Sequence, residues 1–244
     1  SWTASILWVM RTFAYSLVFM LLLLPGCAMP SQPMQDSLET RVCGWKEPVM
    51  FWLWSQAAGR PDAQRLAGLS GLTDIAFSTG DGRTLRGYRL AARTLPRKGY
   101  LLVLQGNAIL ADKLIGEFRR YAESGYDVYM YDYRGYGRSE GKRRLKAIVS
   151  DVREIIDFLN KQPYPRRLVY AFSFGGIVLL DAWQDEFRLD RAVVDSAPGR
   201  LSEYGCPQAY DPIRHLPADC THMLFISGQQ DQVVTPAMVR EIEV

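Results

Sequence analysis

Leu168-Val169-Tyr170-Ala171-Phe172-Ser173-Phe174-Gly175-Gly176-Ile177-Val178-Leu179-Leu180 is the stretch from which the rest of this 244-residue chain can be read. An apolar, strand-like run from Leu168 to Phe172 meets a serine, then two glycines, then an apolar run of helical character. A serine held on a sharp strand-to-helix turn needs small neighbours two positions away on each side. Ala171 and Gly175 supply them, so the pattern is A-x-S-x-G, the form of a nucleophile elbow. A helix starting just after Ser173 would aim backbone N–H groups and the positive end of its dipole at the hydroxyl. Small-x-Ser-x-Gly also arises by chance, and Ser is a common helix N-cap, so the flanking elements have to agree.

Upstream, Ile75–Ser78 and Leu85–Leu90 flank an Asp81-Gly82 turn and predict a hairpin. Tyr100–Leu104 is a continuous apolar run of the buried parallel-strand kind, and Val128–Tyr133 is a further strand. Ala108–Ser124 has helical spacing. Leu145–Lys161 is an amphipathic helix with Ile148, Val152, Ile155, Ile156 and Leu159 on one face. Beyond the elbow, Ala192–Val194 and Met223–Ile226 are two more strands. A hairpin followed by strands alternating with helices predicts an α/β fold with a doubly wound, mostly parallel sheet over residues 72–244.

Five stretches in this order resemble the α/β-hydrolase superfamily, in its serine-aminopeptidase-like branch, which also holds many esterases and lipases. They are Thr79–Gly82, Gln105–Ala108, Asp132–Gly141, Ala171–Gly176 and Gly228–Pro236. The resemblance implies that Ser173 is the nucleophile and Asp231 the triad acid, with Asp195 the less favoured acid. It implies an oxyanion hole from the N–H groups of Phe174 and Asn107. Gln105 stands where many relatives carry a structural histidine. Arg134 and Arg138 could meet an acidic substrate group, though solvated loop charges are commoner. The activity implied is hydrolysis of an ester, thioester or amide in a small-molecule or peptide substrate, without metal or organic cofactor.

The base is the weak point. The family's histidine follows the acid by roughly 25 residues, whereas Val244 stands 13 residues past Asp231. Of the two histidines present, His222 precedes the last strand and His215 lies in the preceding loop, in the wrong chain order. The expectation is a domain truncated before its last strand, whose histidine lies beyond this chain. The alternative is a catalytically inactive relative with a binding or assembly role.

Composition agrees with one large domain: 48% hydrophobic and 23% charged residues, net charge +3. No basic run interleaved with aromatics argues for nucleic acid. The amino terminus differs. Thr12–Leu24 is a weakly polar-to-apolar run of 13 residues after Arg11, ending in Pro25-Gly26-Cys27. That is short for a membrane span and suits a signal peptide over residues 1–26. It resembles a bacterial lipoprotein signal, which implies lipidation of Cys27 and a tethered position in the cell envelope facing the periplasm; an uncleaved anchor helix is the competing reading. Residues 27–71 read as a tether followed by an aromatic segment, Trp45, Phe51, Trp52 and Trp54. That segment is expected either on a membrane interface or, by preference, as a helix on the domain. Export would put Cys43, Cys206 and Cys220 in an oxidising compartment, where Cys206 and Cys220 could pair, or all three stay free.

Overall fold

A computed structural model of the protein describes residues 43–228, Asp185 apart. Its centre is a seven-stranded sheet in the order β1-β2-β4-β3-β5-β6-β7. β1 (Leu72–Ser78) and β2 (Thr84–Leu90) form an antiparallel hairpin, and β2 runs antiparallel to β4 (Tyr126–Tyr131). β4, β3 (Gly99–Leu104), β5 (Arg167–Phe172), β6 (Arg191–Asp195) and β7 (Met223–Ile226) are parallel to their neighbours. The hairpin turns where Asp81-Gly82 predicted. Gly82 has φ 78°, and the Thr79 amide donates to the Arg83 carbonyl at 2.8 Å.

Every residue of β3 is buried, because the sheet is covered on both faces. Leu102, Leu104, Tyr129, Val169 and Ala171 point into one apolar layer with α4 (Leu145–Asn160) and α5 (Phe174–Ala182). Leu101, Val103, Val128 and Met130 point into the other, against α2 (Ala111–Leu114) and the segment that follows. The five apolar residues of α4 read as one face are all buried. The fold is therefore the doubly wound, mostly parallel α/β sheet that the sequence predicted.

One helix departs from expectation. Ala108–Ser124 is not continuous: α2 gives way to a 3-10 turn at Ile115–Phe118 and then to α3 (Arg119–Glu123). Gly116 sits in that turn under Leu69, at the lowest helix propensity in the segment.

The aromatic segment forms α1 (Glu47–Ala58), which packs on the domain through Phe51, Ser55 and Ala58. Glu47 Oε1 accepts the Leu145 amide at 2.7 Å, so α1 caps the start of α4. A disulfide joins Cys43, just before α1, to Cys206 in the connection between β6 and β7. Neither alternative left open by the sequence, a Cys206–Cys220 pair or three free thiols, is the one found: Cys220 is a free thiol and Cys43 is not. Cys206 has its partner 163 residues away in sequence, a connectivity that spacing does not encode. In that connection Asp211, fully buried, accepts both the amide and the hydroxyl of Ser202 at 2.7 Å.

Candidate active site

Ser173 lies at the carboxyl edge of β5, with φ 51° and ψ −120°, immediately before the first residue of α5. Positive φ in a residue with a Cβ is strained, and the neighbours hold it in place. The Ser173 amide donates to the Asp195 carbonyl at 2.8 Å, and its own carbonyl accepts the Gly176 amide at 2.9 Å. A Cβ on Gly175 would stand 2.1 Å from the Leu104 carbonyl oxygen, so only glycine lets α5 come this close to β3. Ala171, the other small neighbour, is fully buried.

The second wall is the turn after β3. A Cβ on Gly106 would lie 3.8 Å from Ser173 Cβ and 3.2 Å from the Phe172 ring, which brings the Gln105–Asn107 backbone alongside the serine. The first turn of α5, beginning at Phe174, and the turn at Gly106 thus both lie beside Ser173. Gln105 is buried. Its Nε2 donates to the Tyr131 carbonyl at 2.8 Å, its carbonyl accepts the Tyr133 hydroxyl at 2.6 Å, and its Oε1 has no partner. It fixes the turn between β3 and β4 and takes no place beside Ser173. The Phe174 ring meets Tyr133 at 5.4 Å and Phe51 of α1 at 5.7 Å, both edge-on. Phe51 beside the elbow is a neighbour that sequence spacing did not reveal.

The two arginines of the Asp132–Gly141 loop are not free to meet a substrate. Arg134 is buried and donates to Asp151 through Nε (2.8 Å) and Nη2, and to Asp81 through Nη1 (2.5 Å). That double pair lowers the Asp81 carboxyl and raises the guanidinium from their ordinary values, and it ties the hairpin turn to α4. Arg138 pairs with Asp74 and donates to the Tyr88 hydroxyl at 3.1 Å. Asp132 accepts the Ala111 amide at 2.7 Å, and burial raises it to about 6.

Neither histidine reaches the serine. His222 immediately precedes β7, at the opposite end of the sheet from Ser173, its ring 5.6 Å from Trp183. His215 has Nε2 2.8 Å from the Ala209 carbonyl oxygen and 3.8 Å from Asp181 Oδ1. Asp181 is eight residues along α5 from Ser173, about 12 Å at helical rise. Asp195 is already engaged, its carboxylate accepting the hydroxyls of Tyr170 (2.5 Å) and Ser196 (2.9 Å). Asp231 and Cys27 lie outside the described residues. A cleft of about 620 Å³ opens between the starts of α1 and α4 and the Pro207–Tyr210 turn, but its walls include neither Ser173 nor Asn107. Chemistry, not volume, selects the elbow.

A family model for serine aminopeptidases of the S33 type matches residues 96–210. Esterase Pf2001 of Pyrococcus furiosus superposes with a TM-score of 0.58 at 18% identity, over 75% of this chain and 80% of that one. The chain has the α/β-hydrolase fold, and the stretch matched by the family model resembles the serine aminopeptidases. Among proteins known by sequence, YfhR of Escherichia coli K12 is 27% identical over 113 residues, which is 44% of this chain and 40% of that protein. A membrane protein of Saccharomyces cerevisiae is 28% identical over 142 residues, half of each chain. The chain thus spans half or less of the length of these relatives.

Proposed function

We propose that this protein of α/β-hydrolase fold is a membrane-tethered serine hydrolase of the bacterial cell envelope, cleaving an ester, thioester or amide. The observation that carries the reading is the strained backbone of Ser173, held at the start of α5 with the Gly106 turn against it. Strain in a serine at a strand-to-helix turn, retained by a glycine that no larger residue can replace, is what an exposed nucleophile requires. Ser173 Oγ attacks the carbonyl carbon and gives its proton to a histidine base. The carbonyl π electrons move onto oxygen, which the Phe174 and Asn107 amides hold. Collapse expels the alcohol, thiol or amine, protonated by the imidazolium, and water then releases the acyl group by the same steps.

The acid is Asp231. β7 leaves the sheet at the same edge as Ser173, since the Ser196 amide donates to the Ile226 carbonyl at 2.8 Å and Asp231 follows five residues later. The base is a histidine that this sequence does not contain, because His215 and His222 are both committed elsewhere. No metal or organic cofactor enters this mechanism. Export is supported by the Cys43–Cys206 disulfide, a bond that persists in oxidising compartments. Anchoring through a lipid on Cys27 rests on the Leu24-Pro25-Gly26-Cys27 ending.

Fluorophosphonate labelling of the natural-length protein tests the assignment. Ser173→Ala should abolish labelling. Ser196→Ala should keep it, although Ser196 shares the positive φ of 52° one strand away, because its hydroxyl is bound to Asp195. Unlabelled wild-type protein would instead support a binding role on this fold.

A further inference from the structure

α1 buries less of itself than its sequence would require of a core helix. Val49 to Trp54 are six consecutive apolar residues, yet Phe51, Ser55 and Ala58 are the buried positions. Val49, Trp52 and Leu53 are 53%, 49% and 39% exposed. They stand at i, i+3 and i+4, so they form one patch on the outer face of the helix. Of the eight large apolar side chains exposed among the described residues, these three share a face; Leu95, Tyr121 and Phe158 are scattered, and Leu224 and Ile226 belong to β7. Scattered apolar residues on a surface need no explanation, but a tryptophan-centred patch does.

We infer that the Val49–Trp52–Leu53 face of α1 docks on the lipid bilayer, with the helix lying along the interface. This rests on the proposed tether at Cys27, and the length of chain between that point and α1 is the argument for the occupant. Cys27 and Glu47 are 20 residues apart. Even fully extended, 20 residues reach at most roughly 70 Å, so a lipid on Cys27 keeps α1, the first α-helix of the described residues, within reach of the bilayer. Twelve residues make a helix of about 18 Å, well short of the roughly 30 Å hydrocarbon core. Such a helix lies on a bilayer and does not cross it. Tryptophan at the patch centre is the side chain that suits the headgroup boundary, apolar over its rings and polar at its N–H. A second copy of the chain fits poorly, because three half-exposed side chains fall far short of the roughly 800 Å² per partner that a stable interface buries.

The consequence concerns the elbow. Phe51, on the inner side of the same helix, touches the Phe174 ring next to Ser173. Docking therefore holds the nucleophile about one helix diameter, roughly 10 Å, from the membrane surface.

Bromine-substituted phospholipids quench only tryptophans seated in the acyl-chain boundary, so the natural-length protein in phosphatidylethanolamine–phosphatidylglycerol vesicles carrying them gives the test. The wild type should lose more emission than Trp52→Phe. Val49→Ser/Leu53→Ser, which alters exposed positions alone, should cut the Trp52-dependent quenching at least twofold while the protein still sediments with the vesicles. Trp52 emission untouched by brominated lipid overturns the inference. Acrylamide then tells why: a shielded Trp52 is covered by the chain's own apolar segment or by a second copy, and an accessible one is in water. Sedimentation reads the tether separately. Protein that stays in solution refutes anchoring, and quenching on adding vesicles still decides whether the α1 face binds lipid.

Discussion

The elbow and the layer stapled across it meet at Phe174, yet different kinds of interaction hold them. The elbow is local: Ala171, Ser173 and Gly175 lie within five residues, and its tight contacts run to neighbouring strand ends. The layer formed by α1 and the β6–β7 connection is assembled from segments some 160 residues apart. The Cys43–Cys206 bond, the Glu47 cap on α4 and the Phe51–Phe174 contact join it to the rest. A site of the first kind is specified by spacing, and one of the second kind by closure of a long loop. The two should therefore fail separately.

The largest expected effect is on the stapled layer. Cys43→Ser/Cys206→Ser releases a loop of 163 residues, and the loss of a native disulfide costs about 2–5 kcal/mol, towards the upper end for so long a loop. Chemical denaturation of both forms measures it. Limited proteolysis should cut first around α1 and the β6–β7 connection, and the sheet and elbow should resist longer. Simultaneous loss of both regions would show that the staple supports the whole domain.

The converse experiment strikes the elbow alone. Gly175→Ala puts a methyl group against a backbone carbonyl that cannot rotate away, so α5 must move from β3. Overpacking of this kind costs about 3 kcal/mol, and the displaced first turn of α5 should remove serine labelling altogether. Labelling that survives would mean that the Ser173 geometry tolerates a shifted helix.

This contrast also explains what was legible in the sequence. The hairpin, the five α4 core positions and the elbow were readable because each depends on residues within one turn or one strand. The role of Gln105 was not, since it is fixed by its bond to the Tyr131 carbonyl across the fold, whereas the break at Gly116 had a local signal in the glycine itself. Arg134 looked like a loop charge, and only the convergence of Asp81 and Asp151 from other elements makes it a buried tie. The disulfide was not legible for the same reason. Cys220 is near Cys206 in sequence, but the fold carries Cys43 to it instead.

The smallest effect expected is a pH dependence confined to the contact between α5 and the stapled layer. Asp181 is buried beneath the Pro212–His215 turn, with neither carboxylate oxygen hydrogen-bonded. Burial raises it to about 8, and Asp211 adds to the shift in the same direction. In the unfolded chain it ionises near its ordinary value of 3.8. The folded state therefore binds more protons than the unfolded state between these values, and stability falls as pH rises through that window. Asp132, raised to about 6, acts with the same sign, so its share is spent by the time pH passes 6. Between pH 6 and 8 the remaining slope should belong mainly to Asp181. Asp181→Asn removes the ionisable group and keeps its shape, so it should flatten that slope and leave the variant about 1–2 kcal/mol more stable at pH 8. Denaturation midpoints of both proteins at pH 6, 7 and 8 decide the matter. Parallel curves would mean that Asp181 does not set the slope and that its carboxyl ionises at the same pH in the folded and the unfolded chain.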